Sequence, residues 1–406
     1  MNQLMMSLVA SLLVVSSVFS FTPQAEQTVI LISFDGFRWD YPERAETPHF
    51  DFLVENGVRA AGLIPSFPTK TFPNHYTIVT GLYPDHHGIV ANSMHDRGTD
   101  KRFRISDRQA VQSSFWWGGE PIWVTAEKQG IIAASYFWVG SEAPIAGRQP
   151  TYWFQYDGST PNRERIDQVL NWLALPEKER PRLILLYFSL TDDMGHGYGP
   201  ESVQVAEAVA TADSLLGYLS AGLRKAGLFE NTNLIVTSDH GMAATSQERV
   251  IFLDDYLDLK TVSVVDWSPV AMINPKTLEA ESIVEKLKGA HPRLNVFLKS
   301  ELPRNLHFGE HERIPDVVAY ADAGWSISSR AYFDKNPERL DGGTHGYSPE
   351  AQSMHAIFIA KGPAFRSDVR FPAFANIHVY ELLAAVLGIK PAANDGALSA
   401  VERMLK

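Results

Sequence analysis

Four largely apolar runs punctuate the chain: Thr28–Phe34, Leu183–Phe188, Asn233–Ser238 and His355–Ala360. None shows the apolar–polar alternation of a strand with one wet face. Unbroken runs predict strands covered on both faces, as in a mostly parallel sheet. Between the second and third runs, Val205, Val209, Ala212, Leu216, Leu219 and Leu223 recur at spacings of three and four. That period predicts a helix with one apolar stripe. The order strand, helix, strand indicates an α/β fold whose central sheet, mostly parallel, is flanked by helices through right-handed crossovers. From about Thr261 to Trp325 the elements shorten and turns multiply. This stretch, about 261–325, is expected to form a small α+β cap subdomain inserted into a catalytic domain spanning 21–406.

Ligands of open α/β sheets bind outside the carboxyl ends of the strands. There the first run ends at Asp35-Gly36, the second runs toward Asp192, and the third ends at Asp239-His240. Asp192 and His196 stand four residues apart, so one helical turn or a tight loop aims both at one ion. His345 sits in Gly342-Gly343-Thr344-His345-Gly346, where glycines are expected to let the backbone approach an ion. A lone Asp after a strand is ordinarily a turn former or helix cap. The joint placement of Asp35, Asp192, His196, Asp239, His240 and His345 at one sheet edge is what points to metal. The chain has no cysteine, so the donors are oxygen and nitrogen. Asp with His suits zinc, with manganese or another divalent ion as alternatives.

The segment Ser66-Phe67-Pro68-Thr69-Lys70-Thr71-Phe72-Pro73 leads into a helical pattern through Gly81, which predicts a helix starting near Thr71. A hydroxyl there feels the positive end of the helix dipole, as does a phosphate. A threonine N-cap has the same appearance, and a threonine hydroxyl is a poor nucleophile unless a base or metal activates it. The six candidate ligands supply such an activator.

Composition narrows the setting. The 406 residues are 45% hydrophobic and 20% charged, as in folded globular proteins. A net charge of −11 argues against general affinity for nucleic acid or anionic membrane, so positive charge for a phosphate must be placed locally. Met1–Phe21 reads as an export signal (residues 1–20), with an apolar run Leu8–Phe19 and a cleavage site at Val18-Phe19-Ser20. No Lys or Arg precedes the run, which is short for a membrane span; an uncleaved anchor is the alternative. Absence of cysteine suits a bacterial periplasmic or secreted protein.

Several segments carry a specific resemblance. Phe34-Asp35-Gly36-Phe37-Arg38, Thr69 to His75, Gly81-Leu82-Tyr83-Pro84 through His87-Gly88-Ile89-Val90-Ala91-Asn92, Gly119 to Trp123, Phe137 to Glu142, Asp192 to His196 with Gly199-Pro200, Ser238 to Met242, and Gly343 to Tyr347 together resemble the nucleotide pyrophosphatase/phosphodiesterase family of the alkaline phosphatase superfamily. The matches run in order from about residue 28 to 390. The resemblance implies two zinc ions, one held by Asp35, Thr71, Asp239 and His240, the other by Asp192, His196 and His345. It implies Thr71 as nucleophile, with Asn92 and the Phe72 backbone N–H binding phosphate oxygens. It also implies a nucleotide base stacked between Phe72 and Tyr156, with Trp138 in the matching aromatic segment; core packing is an equal reading for Trp138.

Substrate choice has a second reading on the same scaffold. The segment His95–Phe115 departs from the animal nucleotide enzymes, which place a substrate-contacting lysine there; Arg104 or Arg108 are the substitutes available. Relatives that cleave choline phosphodiesters use aromatic and acidic groups, a role open to Trp138, Glu142 and Trp267. A sulfatase is disfavoured because Thr71-Phe72-Pro73-Asn74-His75 lacks the arginine after proline. The expected partner is a small-molecule nucleotide or other phosphodiester, with no sequence-specific nucleic acid and no stable transmembrane span; a surface-binding homologue that keeps the fold without turnover is the alternative from another class.

Overall fold

The computed structural model describes residues 27–406; the expected export segment, Met1–Phe21, lies outside the described residues. Its centre is an eight-stranded sheet. In spatial order the strands are Val369–Phe371, Val58–Ala60, Phe358–Lys361, Thr232–Thr237, Thr28–Phe34, Leu183–Phe188, Ala133–Tyr136 and Tyr152–Phe154. The Thr28–Phe34 strand pairs in parallel with both its neighbours. Phe358–Lys361 runs antiparallel to Thr232–Thr237, a direction that an apolar run does not reveal.

The unbroken runs have the predicted cause. Val29 and Leu31 pack into one core and Ile30, Ile32 and Phe34 into another on the opposite face. Each side chain taken fully out of water in this way contributes about 1.5–3 kcal/mol. The Val203–Lys225 helix buries Val205, Val209, Ala212, Leu216, Leu219 and Leu223 against the second core, and Ser202 Oγ caps it by accepting from Val205 N at 3.3 Å.

Residues 262–321 form a separate four-stranded antiparallel sheet, ordered Val262–Asp266, Val270–Pro275, Val317–Ala321, Leu294–Leu298. The Ala280–Leu287 helix packs on it over a core of its own. Lys70, immediately before the Thr71 helix, ties to Asp266 of this sheet at 2.5 Å. Arg313 anchors it from the other side, donating to the carbonyls of Gly88, Phe115 and Trp116. Among the described residues no helix is long and apolar enough to cross a membrane.

Candidate active site

Three adjacent strands, Thr232–Thr237, Thr28–Phe34 and Leu183–Phe188, deliver their carboxyl ends side by side. Strand neighbours lie about 4.8 Å apart, so whatever follows each strand is brought together. Asp35 follows the middle strand. Gly36 turns there at φ +65°, and a Cβ on it would stand 3.0 Å from the Asp192 Cα, so the turn requires glycine. The Leu190–Tyr198 helix carries Asp192 and His196 on successive turns. Asp239 and His240 follow Thr232–Thr237, held by Ser238, whose hydroxyl donates to the His240 carbonyl at 3.0 Å.

His345 arrives from far along the chain. A short antiparallel pairing sets Ala243 opposite Thr344 and stacks the His345 ring on His240, centroids 3.5 Å apart. The glycines before His345 let two backbones meet. A Cβ on Gly343 would stand 2.6 Å from the Gly195 carbonyl, and one on Gly342 would stand 2.2 Å from that of His196.

The histidines are oriented by their second nitrogens. His196 Nδ1 donates to Gly343 O at 2.9 Å, His240 Nδ1 to Gly241 O at 2.8 Å, and His345 Nδ1 to Thr69 O at 3.0 Å. A carbonyl can only accept, so each ring keeps its proton on Nδ1 and turns the Nε2 lone pair inward. There they meet carboxylates: His240 Nε2 lies 2.9 Å from Asp239 Oδ2, and His196 Nε2 lies 3.4 Å from Asp192 Oδ1. Asp35 Oδ1, Asp192 Oδ1 and Asp239 Oδ2 are buried and have no hydrogen-bond partner. Acceptors facing acceptors at such distances require positive charge between them. The donors fall into overlapping groups, Asp192–His196–His345, Asp35–Asp192–His240 and Asp35–His75–Asp239, with donor atoms within 4.8 Å of one another in each group. Oxygen and imidazole donors with their outer nitrogens bonded to backbone are the chemistry of a divalent metal site.

His75 is a member of this cluster that the sequence pattern did not single out. It sits one turn beyond Thr71, fully buried, where a histidine reads as core packing. Its Nδ1 faces Thr71 O at 3.1 Å and Asp239 Oδ2 at 3.3 Å, and its Nε2 faces the Ser33 hydroxyl at 2.8 Å. With its Nδ1 proton donated to the Thr71 carbonyl, His75 stands against the Asp239 carboxylate as a neighbour rather than offering it a lone pair. Tyr187 stands against Asp35, donating its hydroxyl to Oδ2 at 2.7 Å. It too sits inside an apolar run.

The electrostatics show the same unmet charge. Burial, then Asp239 and Asp192, push the Asp35 carboxyl well above the ordinary carboxylate range. Burial, with Asp239 adding to it against His240, raises Asp192 to about 7. Asp239 goes the other way: against burial, His240 and His75 hold it well below the ordinary value.

Thr71 opens the Thr71–Thr80 helix, which ends at Gly81 in the left-handed conformation. The Asn74 side chain accepts from Ser66 N at 2.7 Å and donates to the Pro68 and Lys70 carbonyls, fixing the approach to the helix. Thr71 Oγ1 lies 3.3 Å from His240 Nε2. Asn92 Oδ1 accepts from Phe72 N at 3.1 Å. The two donors expected to face a phosphate therefore face each other, and it is the Asn92 side-chain NH2 that is left without a partner.

A cavity of about 350 Å³ is lined by Asp35, Thr71 and Asp192 together with the aromatic rings of Phe72 and Tyr156. Tyr156 is 38% exposed, against 1% for Trp138. Trp138 borders this cavity, but its indole N–H donates to the His75 carbonyl at 3.2 Å, and the ring packs edge-on to His75. At the cavity's far end Glu142, itself buried, pairs with Arg108 and accepts from Gln112 at 3.1 Å and Tyr156 N at 3.0 Å. Arg104 is exposed and does not line the cavity.

A sequence model described as "Type I phosphodiesterase / nucleotide pyrophosphatase" matches residues 29–348. Human ectonucleotide pyrophosphatase/phosphodiesterase family member 5 is 39% identical over 402 residues, covering 99% of this chain and 83% of that protein. The venom phosphodiesterase CdcPDE of Crotalus durissus collilineatus is 40% identical over 392 residues, and there the match covers 94% of this chain but 47% of the relative. The structure of murine member 5, an inactive threonine-to-alanine form in complex with AMP, is 38% identical with a TM-score of 0.89, covering 94% of this chain and 100% of that one. With the family's sequence model spanning the Thr71 helix and all the clustered ligands, the chain belongs to the type I phosphodiesterase/nucleotide pyrophosphatase family of the alkaline phosphatase superfamily.

Proposed function

We propose that this hydrolase cleaves nucleotide phosphodiester or phosphoanhydride bonds through a covalent intermediate on Thr71, with two zinc ions as its cofactors. The observation that carries the reading is the convergence of three orphaned carboxylate oxygens and three inward imidazoles on the one hydroxyl at a helix start. Asp35, Asp239 and His240 with Thr71 would hold one ion, and Asp192, His196 and His345 the other. When bound, such a pair lowers the pKa of the Thr71 hydroxyl, offsets charge on the leaving oxygen and activates water.

This chain's own residues supply the rest. The phosphate lies at the N-terminus of the Thr71 helix, where the dipole favours it. Thr71 Oγ1 forms a bond to phosphorus as the bond to the leaving oxygen breaks, and its proton passes to solvent. Water then bonds to phosphorus, the Oγ1–P bond breaks, and the hydroxyl is restored. The free Asn92 NH2 donates to the oxygen on which charge develops, a contact of the kind worth about 3–4 kcal/mol. Tyr156 and Phe72 grip a base, stacking of the kind worth about 1–3 kcal/mol. AMP bound to the murine relative supports the nucleotide over the choline reading. So does the pairing of Glu142 with Arg108, which removes the carboxylate a quaternary ammonium would need.

The deciding assay compares the nitrophenyl ester of thymidine 5′-monophosphate with nitrophenyl phosphorylcholine on zinc-loaded protein. The thymidine ester is expected to have the higher kcat/KM; the reverse order reinstates the choline reading. Export of the chain belongs to the same proposal, supported by its first 20 residues and its lack of cysteine.

A further inference from the structure

Thr69, two residues before Thr71, is fully buried and belongs to none of the donor groups. Its hydroxyl is engaged on both sides by the segment that carries His345. Oγ1 accepts from Gly346 N at 3.0 Å and donates to Tyr347 O at 3.0 Å, and the Thr69 carbonyl accepts from His345 Nδ1, also at 3.0 Å. We infer that Thr69 is a positioning residue: its hydroxyl clamps the His345 segment to the start of the Thr71 helix. The clamp fixes the donor group Asp192–His196–His345 relative to Thr71.

This role rests on His345 being a zinc ligand, as proposed above. Upstream of His345, the pairing of Ala243–Thr245 with Gly342–Thr344 joins only three residues to three, and a two-stranded ribbon is marginal by itself. Downstream, Tyr347 is rooted in the core of the inserted sheet, and its own hydroxyl donates to Trp325 O at 3.1 Å. Between these anchors the Thr69 contacts hold His345 and Gly346.

The Thr69 side is rigid. Asn74 Nδ2 donates to Pro68 O at 3.0 Å and to Lys70 O at 2.9 Å, on either side of Thr69. The approach is also close. Gly346 takes φ +116°, and a Cβ on it would stand 2.8 Å from Pro269 Cδ and 3.2 Å from Lys70 Cε, so glycine is needed to bring its N–H to the hydroxyl. A threonine hydroxyl serves because it donates and accepts at once. Valine has the same shape and does neither, leaving the Gly346 N–H and the Tyr347 carbonyl unpaired in the interior. The segment then relaxes away from Thr69. His345 loses the carbonyl that keeps its proton on Nδ1, and with it the aim of Nε2 at Asp192 Oδ1, 3.7 Å away.

The test is zinc titration of Thr69→Val and Thr69→Ser against a competing chelator, with kcat and KM on the thymidine ester. Thr69→Val is expected to bind one ion as the native protein does and the other roughly 10- to 100-fold more weakly, the range for partners that orient a metal ligand. Its kcat should fall with KM little changed, since the Phe72–Tyr156 wall is untouched. Thr69→Ser, which keeps the hydroxyl, should restore both affinity and rate. Thr69→Cys, a weaker donor and acceptor in the same space, should lose part of the affinity for the same ion and serves if Thr69→Val does not fold. Native affinity for both ions in Thr69→Val or Thr69→Cys, or equal weakening of both ions, overturns the proposal. If the native protein takes up fewer than two ions, the two-ion reading fails, and nitrogen-15 shifts of His345 in the metal-free protein still decide this one. There Nδ1–H is expected in the native protein and a mixture of tautomers in Thr69→Val; an unchanged tautomer overturns the clamp.

Discussion

The imidazoles of His240 and His345 lie ring on ring, 13° from parallel with centroids 3.5 Å apart. Two such rings do not both carry charge. Against burial, Asp239 and then Asp35 lift His240 to about 9, while burial, then His240 and His196, holds His345 well below the ordinary histidine value. The metal-free site thus stores a proton on His240 and, at and below neutrality, another on Asp192, raised to about 7.

That storage fixes a sign. Between about pH 7 and 9 the folded, metal-free protein holds a proton on His240 that the unfolded chain has lost, while the histidines pushed the other way by burial, His87, His196 and His345 among them, are neutral in both states. The native state binds more protons there, so its stability falls as pH rises through this range. We expect the melting temperature of chelator-treated protein to drop from pH 7 to pH 9, and zinc to flatten the curve. A metal-free protein that gains stability between pH 7 and 9 contradicts the assignment of the His240 proton. Zinc uptake should also release protons, since the ligands bind deprotonated, measurable by calorimetry in buffers of different ionisation enthalpy.

Thr71→Ala is expected to lower kcat by at least a thousandfold, more than about 4 kcal/mol of barrier, while the protein still binds AMP. Hydrolysis that survives this substitution refutes the covalent route.

Removing a ligand should change metal content as well as rate. Asp239→Asn and His345→Ala are each expected to leave less than two equivalents of zinc after dialysis, read by elemental analysis. Full occupancy in either variant would show that the residue is not a ligand.

His75→Phe keeps the ring volume and removes the imidazole N–H beside Asp239. Outer partners of metal ligands typically account for 10- to 100-fold in affinity or activity. We expect a loss of that size in zinc affinity with the melting temperature of the metal-free protein little changed. A fall in stability with zinc affinity intact would make His75 a packing residue alone.

Tyr156→Ala should raise KM for nucleotide substrates by roughly 5- to 100-fold, the loss of one stacked face. A matching loss on nitrophenyl phosphorylcholine would show that the wall is not specific to bases.

Much of this was legible along the chain because both-face burial and strand-end placement leave marks in sequence. Asp35, Asp192, Asp239 and His240 stand out since each follows a run that can only be a covered strand. His75 and Tyr187 left no such mark: a buried histidine on a helix and a tyrosine in an apolar run look like packing until the partner 3.3 Å or 2.7 Å away is known. The glycines around Gly343 were visible, but not that they admit another backbone. Nor could spacing show that Asn92 turns its oxygen to Phe72 N and keeps its amino group free, or that Arg108 closes on Glu142.

The pairing of Ala243–Thr245 with Gly342–Thr344 has a consequence for the protein's biogenesis. The first of the clustered ligands is Asp35 and the last is His345, so a nascent chain that has not yet passed residue 345 lacks the full set of donors. Closure of the cluster therefore waits on the Gly342–Thr344 strand finding its partner.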